Sequence, residues 1–157
     1  MLNGIACVAK NGVIGQAGKL PWKIQEDFSF FRAKTRGHAI IMGSKTFLSL
    51  DKTLEGRLNI VLTRQKNFSA PLDVIIANSP NEALQKALSF DKDPFVIGGS
   101  EIFTIFSSQI ERFFLTRLNE DYEGDIFFPK KFFEKGWQLK TKEPFSKGTF
   151  ETWEKIA

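Results

Sequence analysis

Short apolar runs recur along this chain, and they constrain its fold more than any other feature. They fall at Ile5–Ala9, Ala39–Met42, Asn59–Leu62, Val74–Ala77, Phe95–Ile97 and Phe113–Leu115. Between them lie stretches with helical signals at Gln25–Lys34, Lys45–Leu50, Pro80–Ser89 and Glu101–Phe106. Strands apolar on both faces need cover on both sides, which a mainly parallel sheet flanked by helices supplies. The tail is different. Gly136–Lys142 and Thr149–Ile156 alternate with period two and no helix separates them, which predicts an antiparallel pair completing one edge. With 157 residues and no repeat, low-complexity tract or composition break, the chain is expected to form a single α/β domain over residues 1–157.

Composition narrows the chemistry. The lone cysteine, Cys7, excludes an internal disulfide framework and a thiolate zinc site, and the lone histidine, His38, argues against a histidine-rich metal site. No metal is expected. Seventeen phenylalanines stand against one tyrosine and three tryptophans, so most of the aromatic content should be core or pocket wall. Lys+Arg 22 against Asp+Glu 18 leaves +4, a mild excess that favours anionic partners without choosing between nucleic acid, membrane and small anions. No basic region precedes a long apolar run, and no segment reaches membrane-spanning length. A cytoplasmic protein without a membrane partner is the expectation.

The segment from Asn11 to Trp22 carries three glycines and a proline between a strand and a helix, as a lid or as variable surface. In the following helix Ile24, Phe28 and Phe31 form an apolar stripe, and Asp27 shares it. A carboxylate on a buried face is paired or used, because desolvation otherwise costs it heavily; alternatively Asp27 and Glu26 serve the helix dipole. Gly43-Ser44-Lys45-Thr46 and Gly98-Gly99-Ser100-Glu101 are strand-to-helix turns that can cradle an anion or supply ordinary caps. On neighbouring parallel strands they would face the same sheet edge. Arg64, after Leu62 and Thr63, is a phosphate clamp or a solvated cation, and Arg57 meets a carboxylate ligand or a structural acid. A Gly-x-Ser-x-Gly elbow, a Cys/His pair placed for nucleophilic work and a metal-ligand cluster are all missing. Hydride transfer needs none of these, since a cofactor carries the reactive bond.

Taken in order, these pieces resemble the dihydrofolate reductases of the bacterial chromosomal type, over the whole chain. The resemblance runs through Gly12-Val13-Ile14-Gly15, Leu20-Pro21-Trp22, Asp27-Phe28-x-x-Phe31, Ile41-Met42-Gly43-x-Lys45-Thr46-Phe47 and Gly56-Arg57-x-Asn59. It continues through Leu62-Thr63-Arg64, Ile97-Gly98-Gly99-x-x-Ile102-Phe103, Leu115-Thr116 and Glu123-Gly124-Asp125-x-x-Phe128-Pro129. It implies the dihydrofolate reductase-like fold and hydride transfer from NADPH to C6 of dihydrofolate, with protonation at N5. Asp27 matches the family's ionisable group in the pterin pocket, Thr116 the residue bonded to that carboxylate, and Trp22 the residue holding a nearby water. Ile5, Phe28, Phe31, Leu50 and Leu54 match the walls around the pterin and aminobenzoate. Ile5 and Ile97 would offer main-chain carbonyls, and Arg57 matches the grip on the glutamate α-carboxylate.

For the cofactor, Ala6, Ile14 and Gly15 resemble contacts on the nicotinamide side, and Leu20 belongs to the same cofactor set. Gly43, Lys45, Thr46, Gly98, Gly99 and Ser100 resemble the diphosphate cradle, where the family joins Gly98 and Gly99 by a cis peptide. Thr63 and Arg64 fall where the 2′-phosphate binds, which implies NADPH over NADH; Ser44, Leu62, Ile97, Glu101, Ile102 and Phe103 complete the expected cofactor set. The Gly12–Gly18 segment resembles the family's mobile loop, and Asp125 its partner loop. Antifolate inhibitors are implied as ligands, with a monomer and no required nucleic acid.

Departures from the pattern are specific. Ser44 replaces a frequent arginine near the 2′-phosphate, Glu101 stands where some relatives carry arginine, and Phe103 where many carry tyrosine. Asp51-Lys52-Thr53 replaces an Arg-Pro pair, and Cys7 takes a position often held by alanine, read as a small buried residue. A pyrimidine reductase of riboflavin synthesis on the same fold should lack Asp27 and Arg57. A basic nucleic-acid binder should cluster its cations, whereas here they are interspersed with acids from Glu134 to Lys155.

Overall fold

The computed structural model describes residues 1–15, 20–50 and 52–157. Its strands are β1 (Leu2–Val8), β2 (Val13–Gly15), β3 (Ala39–Gly43), β4 (Leu58–Leu62), β5 (Val74–Ala77), β6 (Phe95–Gly98), β7 (Ile110–Leu118), β8 (Ile126–Phe127), β9 (Trp137–Phe145) and β10 (Gly148–Lys155). Its helices are α1 (Gln25–Thr35), α2 (Ser44–Ser49), α3 (Pro80–Phe90) and α4 (Ser100–Ile105).

Eight strands form one sheet in the order β5-β4-β3-β6-β1-β7-β10-β9, parallel from β5 through β7 and antiparallel in β10 and β9. The reason is visible in β3, where Ala39, Ile40, Ile41 and Met42 are all fully buried. Successive side chains point to opposite faces. Ile41 packs with Ile60 and Val96 on one face, while Ile40 and Met42 pack with Val61 and Phe95 on the other. Each such side chain contributes about 1.5–3 kcal/mol of burial. The edge strand β9 is exposed along most of its length, and its Lys140, Lys142, Glu143 and Pro144 discourage pairing with another chain.

The phenylalanine expectation holds in a cluster of Phe103, Phe113, Phe128, Phe132 and Phe133, with ring centres 4.9–5.7 Å apart. Asn59 interrupts an apolar run for a reason. Its buried amide bonds both the N–H (3.1 Å) and the carbonyl (3.0 Å) of Leu54, and the carbonyl of Arg57 (3.0 Å), which fixes the loop carrying those two residues.

Two expectations need correction. The connection after β1 is not wholly loop: β2 pairs antiparallel with β8 in a small second sheet. Two and three residues are too few to display a period. Gly124 makes the approach feasible, because a Cβ there would overlap Val13 and the Gly15 carbonyl. The rest of the expected mobile segment, residues 16–18, lies outside the described residues, as does Asp51 of the loop before Leu54. The α1 stripe is also not a core stripe. Ile24 is buried, but Phe28 is 37% exposed and Phe31 half-buried, because both face an open cleft.

Candidate active site

Two cavities meet along the sheet edge where β3, β4 and β6 end. The first, about 340 Å³, lies between β1, β6, α1 and α2. Its walls include Ile5, Phe28, Phe31, Leu50, Leu54 and Ile97, all expected on the substrate side, and Ala6, Ile14, Gly15, Leu20 and Phe103, expected on the cofactor side. Among the described residues lining it, Asp27 is the one charged side chain. Asp27 is only 7% exposed. Burial raises its pKa above the ordinary carboxylate value, partly offset by hydrogen bonds from Thr116 and Cys7.

The second cavity, about 570 Å³, is lined by Gly43, Ser44, Lys45, Leu62, Thr63 and Arg64 from the β3 and β4 ends. Ser100, Glu101 and Ile102 close it from α4. Thr46, Gly99 and Ile126 line both cavities, so the two adjoin. The caps bear on the choice left open by the sequence. Ser79 caps α3 in the ordinary way by accepting from the Glu82 N–H, whereas α2 and α4 begin at Gly43 and Gly99 with no side-chain cap. Their first-turn N–H groups are left to meet something else. Backbone access is close here: a Cβ on Gly43 would come 3.0 Å from Ile102 Cγ1, and Gly98, cis to Gly99, has φ +122°.

Three expected residues do not line either cavity. Thr116, 1% exposed, stands behind Asp27 and bonds it. Trp22 is buried against Tyr122 (ring centres 5.0 Å apart), and its indole Nε1 has no hydrogen-bond partner of good geometry. Arg57 lies beyond the first cavity, donating to the Glu55 carbonyl (2.7 and 2.9 Å) and to Thr35 Oγ1 (3.2 Å). Burial, then the nearby Arg32 and Arg36, push its guanidinium down from its ordinary value.

Sequence reasoning missed other lining residues. Cys7, read as buried in the strand, is partly buried and lines the first cavity beside Asp27; its two-residue spacing from Ile5 was the available signal. Ser49, three residues after Thr46 on α2, and Ile126 on β8 complete that wall. Gln65, Asn78, Pro80 and Ile105 line the second cavity, and Asn78 donates to the Thr63 carbonyl at 2.9 Å. Glu101 reaches Arg64 at 3.8 Å, with both side chains mostly exposed.

A buried acid in an apolar cleft, opening onto uncapped helix starts, fits the resemblance. Residues 1–155 match the sequence family described as dihydrofolate reductase. The chain belongs to the dihydrofolate reductase family. It is 38% identical over 125 residues to a dihydrofolate reductase of Staphylococcus haemolyticus, covering 80% of this chain and 74% of that one. It is 35% identical over 150 residues to the dihydrofolate reductase of Bacillus subtilis, covering 94% and 86%. A dihydrofolate reductase from Enterococcus faecalis, solved with NADP(H) and RAB-propyl, superposes with a TM-score of 0.93 at 30% identity, over 100% of this chain and 97% of that one. The chain therefore has the dihydrofolate reductase fold, with the family's activity. No helix among the described residues is long and apolar enough to cross a membrane.

Proposed function

We propose that this chain reduces 7,8-dihydrofolate to 5,6,7,8-tetrahydrofolate with NADPH, and that Asp27 is its catalytic acid. The observation that carries the reading is one carboxylate among the described lining residues, only 7% exposed, in a mostly apolar cavity that adjoins a second one. A carboxylate has two acceptor oxygens, which suit the 2-amino and N3–H edge of a pterin. Thr116 and Cys7 adjoin it and work against the burial that raises its pKa. Burial moves its pKa upward from the ordinary carboxylate value, the direction that acid catalysis requires. Phe28, Phe31, Leu50 and Leu54 would flank the ring system and aminobenzoate and exclude water, and Arg57 would hold the glutamate α-carboxylate.

The residues of the second cavity fit an NADPH phosphate chain: first-turn N–H groups following Gly43 and Gly99, hydroxyls on Thr46 and Ser100, and the cations Lys45 and Arg64. When bound, the reduced nicotinamide supplies the hydride. Ala6, Ile14, Gly15 and Leu20 would wall its ring against the first cavity. A cytoplasmic monomer, open to antifolates at the same cleft, belongs to this reading. Mixing purified protein with NADPH and dihydrofolate tests it: cofactor absorbance should fall, and methotrexate should stop the fall. Absorbance unchanged with dihydrofolate present would overturn the proposal.

A further inference from the structure

Cys7 and Thr116 are register partners across the parallel strands β1 and β7. Their side chains therefore stand side by side on one face of the sheet. Both act on the same group, the Asp27 carboxylate presented by α1. Cys7 also lines the first cavity, while Thr116 is sealed behind it.

We propose that Cys7 is a positioning residue for Asp27, its thiol donating a hydrogen bond to the carboxylate alongside the Thr116 hydroxyl and holding the acid from two adjacent strands. The proposal rests on the catalytic reading of Asp27. A thiol can fill this role only if it keeps its proton. Burial and the neighbouring Asp27 charge push the Cys7 pKa far above its ordinary value, so it stays a neutral donor rather than becoming a competing anion or a nucleophile. From the other side the Trp22 indole adjoins the sulfur, with its Nε1 buried and otherwise unpartnered.

The groups that face Asp27 are few. Cys7 comes from β1 and Thr116 from β7, and no cation is among the described residues that shift it. Glu26, next to it on α1, is fully exposed and accepts from Ser146 at 2.6 Å. Loss of one donor to the charged form is therefore not hidden by a nearby ion pair. A cysteine that merely filled space would leave the titration of Asp27 untouched when exchanged for alanine.

The test is a ¹³C NMR titration of the aspartate carboxyls in the ligand-free protein, with Asp27 assigned by its missing resonance in Asp27→Asn. Cys7→Ala should move the Asp27 midpoint upward by about half a pH unit or more, because the ionised form loses a donor. Cys7→Ser, whose hydroxyl can donate, should return it to the wild-type value or below. The pH dependence of dihydrofolate turnover should move in the same directions. An Asp27 midpoint unmoved or lowered in Cys7→Ala, or Cys7→Ser matching Cys7→Ala, overturns the proposal. Wild-type turnover in Asp27→Asn would instead overturn the catalytic reading, while the NMR titration still decides what Cys7 does.

Discussion

The Arg57 guanidinium carbon lies 6.0 Å from the centre of the Phe31 ring, so the cation at the mouth of the cleft rests against the apolar wall inside it. Contacts of this kind contribute about 0.5–1 kcal/mol at partly exposed sites. The arrangement links a flat aromatic part of a ligand to a terminal carboxylate. Arg57→Ala should weaken folate binding by about 1.5–3 kcal/mol per charged hydrogen bond lost. Titration with folate and with pteroate, which lacks the glutamate, checks this: the two ligands should become equal in affinity. An undiminished preference for folate would place the carboxylate elsewhere.

Glu101 stands against Arg64 at the second cavity, where an anion on the ligand would meet both charges. Arg64→Ala should lower the NADPH-over-NADH ratio of specificity constants, and Glu101→Gln should raise it by removing a like charge. Both side chains are mostly solvated, so screening limits each effect to about 1 kcal/mol. The check is the ratio at low and at 0.5 M salt (about 0.5 M is ample for screening). Opposite movement in the two variants is the expected outcome.

Gly124 sits where a side chain would overlap Val13 and the Gly15 carbonyl. The Asp125 N–H bonds the Gly15 carbonyl at 3.1 Å, and the Phe128 N–H bonds that of Gly12 at 2.9 Å. Gly124→Ala should push β2 and β8 apart at a cost of about 1–3 kcal/mol. Hydrogen exchange at the Asp125 and Phe128 amides should accelerate, while amides of β3 at the sheet centre stay protected.

Burial raises the Asp27 pKa, and this has a consequence for stability. The folded state holds its proton to higher pH than the unfolded chain, so stability falls as pH rises from the ordinary aspartate range through the raised folded value. Asp27→Asn removes that dependence. The variant should unfold at higher temperature than wild type at neutral pH, with the gap closing as pH drops below the ordinary aspartate range. Thermal melts across that window are the measurement, and a gap independent of pH would contradict the burial argument.

The sheet was legible because β3 carries four consecutive apolar residues, a pattern that only cover on both faces explains. The tail was legible for the opposite reason, since its alternation marks a half-solvated pair. The two glycine turns were legible, but whether Ser44 and Ser100 cap their helices depends on the local backbone, because a serine reads the same in either role. Phe28 misled in one respect: a stripe facing a ligand cleft has the same period as one facing the core. The strand β8 and the place of Cys7 depend on long-range contacts. Val13 meets residues more than a hundred positions away, and Cys7 meets Asp27 only once α1 folds across β1.

The central claim is that the buried carboxylate of Asp27 delivers acid catalysis to a heterocycle in the first cavity. Single-turnover stopped-flow measurement of hydride transfer in Asp27→Asn tests it most directly. At neutral pH the rate should fall by about 10²–10⁴-fold and recover in part as acid protonates the substrate from solution. A variant that transfers hydride at the wild-type rate, with the wild-type pH profile, would contradict the account.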